Sequence, residues 1–117
     1  MSSYGSISNW TLEQEAKFNT TLPTSNTAIF TENFEPEKEI EWLSIYVCFS
    51  VSGILRVTRT VGTTTVNEDL YGGSVLTANS AYVFALPVAS GQAVNFIYSV
   101  TGGTIKSFIV SAHRGIV

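Results

Sequence analysis

Few residues of this chain have the types and spacing that chemistry needs. His113 is the only histidine and Asp69 the only aspartate. A Ser–His–Asp triad would have to use both, and no Gly-x-Ser-x-Gly elbow presents a serine. His113 is therefore expected as an exposed residue after the last strand. Cys48 sits among apolar and hydroxyl residues, with no basic neighbour in sequence to favour a thiolate, and reads as a buried, inert thiol. One cysteine and one histidine cannot build a zinc site.

Glu35, Glu37, Glu39 and Glu41 alternate with Pro36, Lys38 and Ile40. In extended chain Glu37, Glu39 and Glu41 would point one way, a comb that could collect Ca²⁺. No Asp/Asn/Gly calcium loop accompanies it, so a solvated strand start or a charged edge is the stronger expectation. Glu68-Asp69 reads as a solvated turn. Gly72-Gly73 and Gly102-Gly103 have no lysine and no helix after them and are not phosphate loops. No catalytic residue, cofactor or metal is expected. Trp10, Trp42, Tyr46, Tyr71, Tyr82 and Tyr98 could form a sugar-stacking platform, but such rings more often pack in cores and interfaces.

The elements that would position these residues are strands. The 117 residues are enough for one domain with its own core. Seven strands are expected near 28–34, 40–52, 54–61, 64–70, 81–87, 93–100 and 104–112, alternating with period two and separated by Gly, Asn and Pro. In the second, Leu43, Ile45, Val47, Phe49 and Val51 share the core face. Trp42, Ser44, Tyr46, Cys48 and Ser50 share the other. Val94, Phe96, Tyr98 and Val100 share a face, as do Phe108, Val110 and Ala112. Ile105 and Ile109 lie opposite the latter set, so the last strand is expected to be covered on both sides. The fold class is all-β, an antiparallel, jelly-roll-like β-sandwich over residues 27–117 with an extended N-terminal arm over 1–26.

Composition narrows the partners. Charged residues are 13% of the chain, about half the roughly 25% usual in soluble domains. From Trp42 onward only Arg56, Arg59, Glu68, Asp69, Lys106 and Arg114 are charged. Strand faces of Thr, Ser, Tyr and Val suit a surface that meets other protein. The net charge of -3 leaves no basic patch for phosphates, so no nucleic-acid partner is expected. MSSYGSISNW has neither the basic nor the apolar region of a signal peptide, and no segment is long and apolar enough for a membrane helix. The lone cysteine fits synthesis in a reducing cytosol, which leaves the sequons at Asn9 and Asn19 without meaning.

The arm is polar but carries isolated apolar anchors. Thr11-Leu12-Glu13-Gln14 has the pattern of a capping box, so a helix of at most two turns is expected from Leu12 to Phe18. Tyr4, Ile7, Trp10, Leu12 and Phe18 are the expected partner-binding residues. An arm that crosses to a neighbour gains affinity through effective concentration.

Four stretches share a cadence: Thr63–Val66, Leu76–Phe84, Leu86–Phe96 and Thr104–Val110. Together they resemble small β-sandwich structural proteins of tailed phages and archaeal viruses, notably capsid decoration (cement) proteins and small tail or fibre modules. The resemblance spans a little under half of the chain. It implies a homo-oligomer, often a trimer, made in the host cytoplasm and clamped on a virion lattice against the major capsid or another virion protein. It brings no catalytic residues with it. A non-enzymatic decoration protein is thus the first expectation. A carbohydrate- or receptor-binding module of the fibre-head type is the alternative, and would need exposed rings gathered in a groove. A small β-barrel enzyme would need His113 beside a carboxylate in a pocket.

Overall fold

The computed structural model describes residues 14–36 and 40–114. Seven strands run in order: β1 (Gln14–Thr21), β2 (Ile40–Phe49), β3 (Leu55–Val61), β4 (Thr64–Asp69), β5 (Tyr82–Pro87), β6 (Ala93–Tyr98) and β7 (Thr104–Arg114). They form two packed antiparallel sheets, β1-β7-β2-β5 and β4-β3-β6. The β3–β4 hairpin stays within the smaller sheet, β1 and β2 both belong to the larger one, and every other connection crosses between the sheets. The segment at 26–34 lies along β6, bonded through Asn26 N to Tyr98 O, Ile29 N to Phe96 O, and the Phe34–Val94 bridge. It takes the place of an eighth strand, and the strand order with it is that of a jelly roll.

Six expected strands are present within a few residues. The seventh, at 28–34, is an irregular segment with a single bridge. The expected helix from Leu12 to Phe18 is corrected: residues 14–21 are β1, paired with β7 from Gln14↔Ser111 to Thr21↔Thr104. A two-turn helix is marginal alone, and pairing with β7 supplies backbone partners along the whole segment. β1 and the buried Leu22 therefore belong to the sandwich, not to an arm beside it.

Leu43, Ile45, Val47 and Phe49 of β2 are fully buried, as the alternation requires. Two register shifts modify it. Between Ile40 and Trp42, Glu41 is an extra residue on β2; between Cys48 and Phe49, Lys106 is an extra residue on β7. Each bulge changes the side-chain parity. Ile40 thus joins the core although it is even-numbered, and Ile105 joins Phe108, Val110 and Ala112 although it is odd. Ile105 was expected on the opposite face; the Lys106 bulge is why it is not.

The core is a ring lattice. Phe30 meets Phe34 at 4.9 Å and Phe108 at 5.1 Å, edge to face, and Phe49 stacks on Tyr98 at 3.9 Å. Burial pushes the Tyr98 phenol up to about 12, so it stays neutral and donates to Val51 O at 2.8 Å. Gly53 leaves room for this ring; a Cβ there would lie 2.8 Å from it.

One buried amide fastens the irregular segment. Asn95 Oδ1 accepts from Phe30 N at 3.2 Å, and Nδ2 donates to Phe30 O and Asn33 Oδ1, both at 2.9 Å. Replacing it strands the Phe30 backbone groups without partners. Asn95→Leu is expected to cost about 2–4 kcal/mol in urea unfolding. A loss below about 1 kcal/mol would show that the clamp is dispensable.

β1 turns Glu15 and Lys17 toward the sheet's inner side. Lys17 Nζ sits 5.5 Å from the Phe30 ring centre, while Glu15 Oε1 is buried without a partner. Burial raises the Glu15 pKa, and Lys17 offsets this only in part. The folded carboxyl holds its proton to higher pH than the unfolded one, so this group destabilises the fold as pH rises past its ordinary value of 4.5. Glu15→Gln is expected to raise the melting midpoint at pH 7. The gain should vanish below pH 4.5, where Glu15 is itself protonated; equal midpoints at pH 7 would contradict this.

Candidate functional site

The residues that could do chemistry do not converge. His113 Nε2 lies 3.1 Å from Ser44 Oγ, and its ring stacks on Trp42 at 4.0 Å. Asp69 is in the other sheet, held by Arg56 Nε at 2.6 Å. Among the described residues His113 bonds to no carboxylate, so Ser44 and His113 lack the third member that would orient the imidazole. His113 is half-buried by this contact, where an exposed strand end was expected.

Cys48 is also half-buried, on the outer face opposite Ser107. Glu37 and Glu39 lie outside the described residues; Glu35 and Glu41 are exposed. Among the described residues, no group of three His, Cys, Asp or Glu could hold a metal ion. A cleft of about 370 Å³ between Glu35, Pro36, Gly62 and Gln92 has Glu35 as its one carboxylate among the described residues.

Nor do the aromatics form one platform. Tyr98 is core. Trp42 has one face covered by His113. Tyr46 stands on the outer face of the four-stranded sheet, whereas Tyr71 packs at the open side of the sandwich, 5.4 Å from Tyr82 at a 59° tilt. Trp10 lies outside the described residues.

What the fold does assemble is a surface. The registers of β5, β2, β7 and β1 place outward side chains in rows across the four-stranded sheet. One row reads Pro87, Trp42, His113. The next reads Ala85, Ser44, Ser111, Gln14, and the third Val83, Tyr46, Ile109, Ala16. The last holds Cys48, Ser107 and Phe18. No Asp, Glu, Lys or Arg stands in any of them. Val83 is 69% exposed, Phe18 58% and Tyr46 41%. The bulged Glu41 and Lys106 lie outside the rows, with Lys106 turned to Asn79 at 3.1 Å.

The second sheet shows water a different surface. Its outer side carries the Arg56–Asp69 pair and a Thr60–Thr65 hydroxyl bond at 2.8 Å, while the Arg59–Glu68 pair lies on the side of Val57 at the margin of the sandwich. One domain therefore has one ordinary polar sheet face and one without charge. At about 4.8 Å between strands and about 6.8 Å per outward pair, the charge-free rows cover on the order of 450 Å². That is a usual size for the largest apolar patch of a monomer. The signal is the missing charge, which also marks the centre of protein interfaces.

Of the expected partner-binding residues, Tyr4, Ile7, Trp10 and Leu12 lie outside the described residues. Phe18 is a β1 residue on this face, in one row with Ser107 and Cys48. Val83, Ala16 and Ile109 were missed. Their signal was in the alternation of β5, β1 and β7, but only the strand order shows that those outward positions adjoin. No protein-family model matches the chain, and no curated protein or solved structure matches it either.

Proposed function

We propose that this chain is a non-enzymatic structural subunit that works inside a protein assembly, and that the assembly is a virion which it decorates and stabilises. The observation that carries the reading is the charge-free outer face of β5, β2, β7 and β1. It offers apolar and hydroxyl groups that can be buried without desolvating an ion. The viral setting rests on the resemblance carried by residues 63–110. The face alone is about half of the roughly 800 Å² per partner of a standard stable interface. A second contact must add to it, and residues 1–13, with Tyr4, Ile7, Trp10 and Leu12, are the proposed source. Truncation to residue 26 would also remove β1, so the arm is tested by a cut at 13.

Tagged chain made in its own host cells should co-sediment with virion-sized particles. Phe18→Lys with Tyr46→Lys should leave the fold within about 0.5 kcal/mol per site, as exposed substitutions do, while moving the chain to the free fraction. Recovery of the unaltered chain only as free protein, or unchanged co-sedimentation of the double variant, would overturn the reading.

A further inference from the structure

A sandwich of two open sheets has four edges, and an edge is a template for a foreign strand unless something blunts it. Three edges here are blunted. β1 carries Glu15 and Lys17 on its inner side and bends at Asn19, whose φ is 49°. β4 carries Glu68 and Asp69, both in ion pairs. β6 is covered by the segment at 26–34. The fourth edge, β5, has none of these devices. It has no charge, no bulge and no covering segment among the described residues, and only Pro87 closes its end. It lies within residues 70–105, which hold no charged side chain at all.

We infer that β5 is the contact between two copies of this chain, its Tyr82–Pro87 edge pairing antiparallel with the same strand of a second copy to make one continuous eight-stranded sheet. Self-pairing keeps like faces together in either of two registers. Centred on Phe84, it sets Val83 against Ala85 and Tyr82 against Leu86. Centred on Ala85, it sets Phe84 against Leu86 and Val83 against Pro87. Neither brings two charges together, whereas self-pairing of β4 would gather Glu68 and Asp69. Beside the edge, Tyr71, Tyr82 and Phe84 form a ring group with centres 5.4–6.3 Å apart. Tyr71 is 45% exposed, and the second copy would cover it. The pairing also joins two charge-free outer faces into one surface. It deepens the assembly reading by naming one contact, and rests on that reading only for the claim that the chain works as a multimer.

The test is sedimentation equilibrium on the full chain, with amide exchange read strand by strand. The unaltered chain should weigh two copies, and the edge-facing amides of 82–86 should exchange more slowly as concentration rises. Val83→Lys with Ala85→Lys sets lysine against lysine in the Ala85-centred register and two such pairs in the Phe84-centred one. This variant should weigh one copy while keeping its circular dichroism. Val66→Lys on β4 and Phe18→Lys on β1 should both still weigh two. A monomeric unaltered chain, a dimeric β5 variant, or a dimer with unprotected β5 amides would overturn the inference. Loss of the dimer in Phe18→Lys, with β5 unprotected, would mean that copies meet through the outer face instead. Failure of particle binding with the dimer intact would remove the virion reading and leave this contact standing.

Discussion

A strand must show alternate residues to opposite faces, and this sandwich depends on the two places where that alternation is broken. The extra residues Glu41 and Lys106 step out of the β2–β7 ladder. Each shift carries an isoleucine, Ile40 or Ile105, onto the core face. Each also keeps a charged residue, Glu41 or Lys106, off the core face to which unbroken alternation would turn it. Without them Ile40 and Ile105 would stand outward. The bulges thus complete an apolar core and keep two charged residues out of it.

Much of this was legible along the chain. The run Leu43, Ile45, Val47, Phe49 declares its strand and its buried side, and the Gly62 turn declares a hairpin. Two things were not. The capping-box pattern at Thr11–Gln14 is a local signal, and it lost to the backbone partners that β7 offers β1 from the far end of the chain. The segment at 26–34 has strand-like alternation, but Asn95 holds it as an irregular strap, through an amide sixty-five residues from Phe30. Long-range pairing decided both cases, and no window of sequence contains it.

The candidate surface was legible in kind but not in place. The scarcity of charge after Trp42 pointed to contact with other protein. Only the strand order shows that the scarcity is concentrated: Arg56, Arg59, Glu68 and Asp69 gather on the smaller sheet, and the outer face of the larger one is left bare. Phe18, an anchor expected on a free arm, proves to be part of that bare face. The Ser44–His113 contact could not be anticipated either. It joins diagonal neighbours on adjacent strands, and Trp42 and Ser44 hold the imidazole as part of the surface.

The central claim is that the outer face of β5, β2, β7 and β1 is covered when the protein is at work. Hydroxyl-radical labelling of the chain within its assembled particle, beside the free chain, tests this directly. The account predicts that Phe18 and Tyr46 lose most of their labelling in the particle, while Val66, on the polar sheet, keeps its own. Equal labelling of Phe18 and Tyr46 in the two states would contradict it.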